Sequence, residues 1–120
     1  MNNTFSKCYA RYQDRTPFGV AVAEVNPTTQ KINIGMSLVH ATKDNFNKTL
    51  GDEIAIGRMK SGKISIPLCE DEGSLIHEVL DVFNNPDHII FIEEMWPQIE
   101  FVVLRAARFH RKHNTNEFKQ

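Results

Sequence analysis

At 120 residues, 41% hydrophobic and 24% charged with a net charge of −1, the chain has the make-up of one globular domain, 1–120, long enough for a modest core. That balance excludes disorder and argues against a generally basic nucleic-acid binder, and no apolar run approaches the length of a membrane span. The opening Met1 to Lys7 has no apolar signal core, which points to the cytoplasm. In a reducing compartment the well-separated Cys8 and Cys69 read as small core residues.

Taken in chain order, three extended runs come first. Cys8 to Gln13 alternates Cys8, Ala10 and Tyr12 on one face with Tyr9, Arg11 and Gln13 on the other. A turn at Asp14 to Pro17 leads into Phe18 to Val25, whose faces differ in size. Phe18, Val20 and Val22 are bulky; Gly19, Ala21 and Ala23 are small. After a turn at Asn26 to Gln30, Lys31 to Val39 alternates Ile32, Ile34, Met36 and Leu38 with Asn33, Gly35 and Ser37. Short loops join the runs, so an antiparallel meander is expected. Gly19, Ala21, Ala23 and Gly35 suggest a shallow shelf for a close-lying helix. Alternatively the bulky face holds the helix and the small face meets another subunit. Two buried faces in so small a chain predict a homo-oligomer.

The stretch Lys43 to Gly62 reads as that helix, capped by Asp44 and ended by Gly62, with Lys60 suited to the last turn. Phe46, Leu50, Ile54 and Gly57 recur at helical spacing. Gly51 and Gly57 each cost roughly 1 kcal/mol against alanine inside a helix, and close approach of another backbone is the usual compensation. Arg58 falls beside Ala55, between Ile54 and Gly51 around the helix. Either its stem snorkels over apolar surface, or its guanidinium waits for an anion in a partly dry cleft.

Lys63 to Leu68 reads as an edge segment limited by Pro67, and Glu70 to Glu72 as a solvated acidic turn. Ser74 is expected to cap a helix from Leu75 to about Phe83, ended by Asn84-Asn-Pro86. His88 to Ile92 is short, β-branched and bounded by turn residues, which predicts a strand. Pro97 suits the first position of a last helix over Gln98 to about His113, with Phe101, Val102, Leu104, Ala106 and Phe109 as its packing side. Asn114 to Gln120 reads as a frayed tail.

Catalytic patterns are thin. No glycine-rich phosphate loop occurs between a strand and a helix. His110 and His113 have a metal-compatible spacing but lack an evident third ligand. His77 and Asp81 can share a hydrogen bond, yet Ser74 is better explained as a cap than as a nucleophile. The stronger pattern is the stripe Arg105, Arg108, Arg111 and Lys112. A solvated helix end explains the last two; Arg105, beside Leu104 and Ala106, it explains poorly. With Arg58 these arginines form a candidate phosphate cradle, because guanidinium forks bind phosphate oxygens at two points. Phe83, Phe91 or Trp96 offers a ring for a base, and Asn84 or Asn85 an amide to read its edge.

The pieces Tyr9-Ala-Arg11, Phe18-Gly-Val-Ala-Val-Ala23, Lys31-Ile-Asn-Ile-Gly-Met-Ser37, Lys43-Asp-Asn-Phe-Asn-Lys48 and Glu53-Ile-Ala-Ile-Gly-Arg-Met59 resemble the phage Thoeris anti-defence proteins, the family first described as a sponge for an immune signal. None of them is a catalytic signature, and past Gly62 the likeness is one of order and length. The resemblance implies a protein that sequesters, without degrading, a cyclic ADP-ribose isomer made by TIR-domain defence proteins. Some members also hold cyclic oligonucleotides at a second site. It implies an antiparallel sheet with flanking helices, and dimers assembling to hexamers with ligand between subunits, in the cytoplasm of an infected bacterial host. It further implies Arg58 as the first phosphate ligand, Phe83 as the stacking ring, Asn84 or Asn85 on the base, and phosphate ligands among Arg105, Arg108 and Arg111.

The expectation is therefore an α+β fold with an antiparallel sheet of three to five strands, flanking helices and a C-terminal helix. Its expected function is non-enzymatic binding of a cyclic nucleotide signal, with no cofactor, metal, membrane or nucleic-acid polymer involved. Two other readings stand beside it. One is a small phage protein that binds a host protein through its sheet surface, with the arginines solvated. The other is a weak nucleic-acid binder using the basic stripe, which the near-neutral charge disfavours.

Overall fold

The computed structural model describes residues 5–38 and 47–118. Strands β1 (Ser6–Arg11), β2 (Pro17–Asn26), β3 (Lys31–Leu38) and β4 (Ser65–Pro67) form one antiparallel sheet in the order β1-β2-β3-β4. The helices are α1 (Lys48–Ser61), α2 (Glu72–Phe83) and α3 (Ile89–Phe118). The fold is α+β, as expected.

The hairpins are set by local chemistry. The Asp14 carboxylate accepts from the Thr16 N–H at 2.9 Å, and Arg15 turns the chain with φ of 74°. In the next turn Asn26 Oδ1 accepts from Thr28 N at 2.9 Å, and Gln30 has φ of 57°.

The β2–β3 register decides what each face carries. Gly19, Ala21 and Ala23 pair with Leu38, Met36 and Ile34, while Val20 and Val22 pair with Ser37 and Gly35. Directly opposed residues share a face. Gly35 is thus on the bulky-residue face of β2, and the shelf expected to unite it with Gly19 does not form. A helix fills the space it leaves. A Cβ built on Gly35 would come within 2.0 Å of the Ala55 carbonyl oxygen and 2.5 Å of Met59 N, so α1 rests directly on that backbone. Ala55 and Met59 pack there with Val20 and Val22.

The opposite face belongs to α2 and α3. Ala21, Ala23, Ile32, Ile34 and Met36 meet Leu75, Val79 and Phe83 from α2 and Met95, Ile99, Val102 and Val103 from α3. The small β2 residues again let a helix come close: a Cβ on Gly19 would lie 2.9 Å from the Met95 sulfur. Both sheet faces are therefore covered by the chain's own helices. The expectation that open sheet faces drive oligomerisation loses its ground, as does binding of a host protein through an open sheet face.

α1 turns a different side inward from the one its apolar spacing suggested. Gly51, Ala55 and Met59 are buried, while Leu50 is 54% exposed and Ile54 also faces out. α1 meets the Gly35 backbone through Ala55 and Met59, and that contact turns Leu50 and Ile54 outward. Asp44 and Phe46 lie outside the described residues. The helix is capped by Asn47, whose side chain accepts from Leu50 N at 3.0 Å, and Gly62 ends it with φ of 72°. Gly57 is exposed with nothing within 4 Å of a built Cβ, so no close approach explains it. Gly57→Ala is accordingly expected to stabilise the fold by about 0.5–1 kcal/mol, read as a higher urea midpoint with unchanged slope.

The later elements correct three expectations. The cap of α2 is Asp71, which accepts from Ser74 N at 2.9 Å and from the Ser74 hydroxyl at 2.6 Å; Ser74 lies inside the helix. These bonds hold the Asp71 carboxyl below its ordinary range. The His88 to Ile92 run is a loop residue and the first turn of α3, not a strand. Met95 breaks α3 with φ of −130° and ψ of 19°, and Pro97 falls in the first turn after the break, where its missing N–H costs no bond. Beyond it Val102, Val103, Ala106 and Ala107 face the core, while Phe101 and Phe109 are 45% and 43% exposed. The expected packing side was thus turned too far toward solvent.

Candidate functional site

The expected ligand residues separate into three groups. The first surrounds an open depression of about 310 Å³ lined by Met36, Arg58, Ser61, Lys63, Ile64, Asp87, His88 and Phe91. It exists because β4 is only three residues long. Pairing between β3 and β4 covers Lys31, Ile32 and Asn33, so the β3 edge is left without a strand partner farther on. The C-terminal end of α1 and the start of α3 come round that edge from the two faces of the sheet.

Arg58 Nη1 donates to the exposed-edge carbonyl of Met36 at 2.8 Å. No other acceptor for its guanidinium occurs among the described residues, which leaves most of the fork toward the depression. The Arg58 guanidinium thus bonds one carbonyl of β3 and lines the depression. Lys63 adds a second cation, and Asp87 a carboxylate. His88 is held from below by the Phe83 ring, with ring centroids 5.6 Å apart at 62°. The Asn85 side chain accepts from Asp87 N at 2.9 Å and its carbonyl accepts from His88 N at 2.9 Å, which fixes the loop that presents both residues. Lys63, Asp87 and His88 were not singled out from the sequence. They lie in loops with no periodicity, and only the meeting of three elements brings them to Arg58.

Phe83 cannot act as a stacking ring in this fold, because it is 0% exposed in the α2–α3 core. The ring at the depression is Phe91. Asn84 is the exposed C-cap of α2 and does not line the depression; Asn85 is committed to the loop.

The basic stripe forms the second and third groups. Arg108 grips Glu72 with two bonds, Nε at 2.6 Å and Nη2 at 2.8 Å. Those bonds hold the Glu72 carboxyl below its ordinary range. Arg111 donates to the Glu70 carbonyl at 2.6 Å. These two arginines tie the start of α2 to α3, and the acidic turn expected to be solvated is their partner. Arg105 stands apart on the outer side of α3, its guanidinium carbon 5.6 Å from the Phe101 ring centroid. The hollow it lines with Pro97, Glu100, Phe101, Leu104 and Arg108 shares no residue with the depression at Arg58. Within one chain, the four arginines do not form a single cradle.

The remaining candidates do not assemble a reactive centre. His77 and Asp81 are exposed and 3.8 Å apart on α2, and the Ser74 hydroxyl is bonded to Asp71. Among the described residues no group of three His, Cys, Asp or Glu side chains could hold a metal ion; the His113 side chain lies outside them. No helix among them is long and apolar enough to cross a membrane. On the α1 face of the sheet, the Tyr9 hydroxyl donates to Asp52 at 2.9 Å, and Lys7 bonds the same carboxylate at 2.8 Å. Burial pushes the Tyr9 phenol up, and the Asp52 bond adds to it. This pair joins β1 to α1. No family model, curated protein or solved structure matches the chain.

Proposed function

We propose that the chain is a non-enzymatic binder that sequesters a small cyclic nucleotide signal, with the depression at Arg58 as its anchoring site. The observation that supports this reading is the coincidence there of a guanidinium with unused donors, a second cation and an aromatic ring. A phosphate calls for the first two, and a base for the third. A volume of about 310 Å³ lies at the lower end of the range for ligand sites. It suits one phosphate-bearing half of a larger molecule and leaves the rest outside this depression. The resemblance to the Thoeris anti-defence family gives the ligand as a TIR-derived cyclic ADP-ribose isomer and the consequence as a block on Thoeris signalling.

Sequestration predicts that the ligand survives its stay. The protein is incubated with cyclic ADP-ribose isomers, freed of unbound ligand and heat-denatured, and the supernatant is analysed by mass spectrometry. An intact cyclic molecule is expected in near-stoichiometric yield. Linear or hydrolysed product that accumulates in proportion to protein would replace the sponge by an enzyme.

A further inference from the structure

Asp87 is an unexpected group in a site for phosphate. It is the acid among the residues that line the depression, where Arg58 and Lys63 supply the cations. A carboxylate repels a phosphate, so a site for phosphate alone gains nothing from it. Asp87 does not serve to neutralise the cations either, since it makes no ion pair with Arg58 or Lys63 among the described residues. The Asn85 side chain accepts from its backbone N–H at 2.9 Å, which fixes the loop, while the Asp87 carboxylate accepts no hydrogen bond among those residues. Other oxygens at the depression are already engaged. The Met36 carbonyl accepts from Arg58 at 2.8 Å, and the Ser61 hydroxyl donates to the Arg58 carbonyl at 2.7 Å. An acceptor with both oxygens unused thus stands beside two cations.

We infer that Asp87 is the specificity-determining residue of this depression: its carboxylate accepts hydrogen bonds from the vicinal hydroxyls of a ribose whose phosphate is held by Arg58 and Lys63. The inference rests on the depression being the nucleotide site proposed above. The covalent order of a nucleotide places the sugar here. The cations take the phosphate and the Phe91 ring takes the base, and the ribose lies between the two. A ribose diol offers two O–H donors on adjacent carbons, and an ionised carboxylate offers two oxygens that only accept. Such charge-assisted bonds are stronger than neutral ones, and acids hold ribose hydroxyls in the same way in dinucleotide-binding folds. The ligand class selected is a ribonucleotide. A deoxyribose forfeits one of the bonds, and a bare phosphate meets the repulsion with nothing to offset it.

The test is titration of the full chain with adenosine monophosphate, its 2′-deoxy analogue and inorganic pyrophosphate, followed by NMR chemical shifts, in wild type, Asp87→Asn and Arg58→Ala. Wild type is expected to bind the ribose form about five- to tenfold more tightly than the deoxy form. Asp87→Asn should narrow that preference to within about twofold and bind pyrophosphate about two- to fivefold more tightly, because the like charge is gone. Arg58→Ala should weaken all three probes. A sugar preference that survives Asp87→Asn overturns the inference, as does equal binding of the two sugars by wild type, which would leave Asp87 in water or on the base edge. Equal weakening of all three probes by Asp87→Asn also overturns it, since that marks a disturbed loop. In each of these cases the nucleotide site itself stands if Arg58→Ala still weakens binding. Absence of binding by every probe, or indifference to Arg58→Ala, removes the nucleotide site and the inference together.

Discussion

Gly35→Ala is expected to destabilise the fold by about 3–5 kcal/mol, at the upper end for a single added methyl. The added Cβ would meet the Ala55 carbonyl oxygen at 2.0 Å and Met59 N at 2.5 Å. Both are backbone atoms of α1, so no flexible side-chain end can swing aside. Relief requires α1 as a whole to lift from β3, which opens the contact of Ala55 and Met59 with Val20 and Val22. For a domain of this size the loss corresponds to a fall in melting temperature of roughly 15 °C or more. Thermal melting by circular dichroism is sufficient to read it. A loss below about 1 kcal/mol would mean that α1 does not sit on the Gly35 backbone. The contrast with Gly57→Ala separates two uses of glycine in neighbouring elements. At Gly35 the missing side chain makes room for a helix; at Gly57 it leaves only an entropic cost.

Arg58→Ala is expected to weaken binding of the cyclic ADP-ribose isomer by about 2–3 kcal/mol, roughly 30- to 150-fold in Kd. That is what loss of a charged two-point donor to a phosphate commonly costs. The figure stops short of the range for fully buried charge pairs because Arg58 is exposed. The fold should persist with a loss near 1 kcal/mol, since the guanidinium gives up one bond to the Met36 carbonyl. Arg58→Lys should bind almost as poorly, because an ammonium cannot both cap that carbonyl and fork a phosphate. A purely structural Arg58 gives a different pattern. At the C-terminal end of α1 its charge would only offset the helix dipole and bridge to β3. Alanine would then lower the melting temperature slightly and leave affinity untouched. Calorimetric titration of both variants beside their melting curves separates the two, and unchanged affinity in Arg58→Ala removes this depression as the ligand site.

Elements whose evidence is local could be read directly from the residues. The three-strand meander, the α+β class, the stop of α1 at Gly62 and the restart of α3 near Pro97 follow from alternation, turn chemistry, a left-handed glycine and a proline. Arg58 and Phe91 could be singled out in the same way, since an arginine among small residues and a ring in an apolar run are visible in the chain. Which face each residue joined depended on how the strands and helices came together. Gly35 reads as a companion of Gly19 until the β2–β3 register sets it opposite Val22, because a strand's faces carry no label that identifies them with those of the next strand. The outward turn of Leu50 and Ile54 follows from the same contact, since α1 meets the Gly35 backbone through Ala55 and Met59. His88 to Ile92 is compatible with strand or helix by composition, and from Ile89 on it is helical, with no strand partner beside it. Phe83 and the arginines show why candidate sites are harder to read than folds. A ring suited to stacking is equally suited to a core, and only packing placed Phe83 at 0% exposure. Arginines suited to phosphate are equally suited to carboxylate, and Glu72 with the Glu70 carbonyl, some 40 residues back in the chain, engages Arg108 and Arg111. Such competition is set by which groups meet in space, a long-range property that residue spacing does not encode.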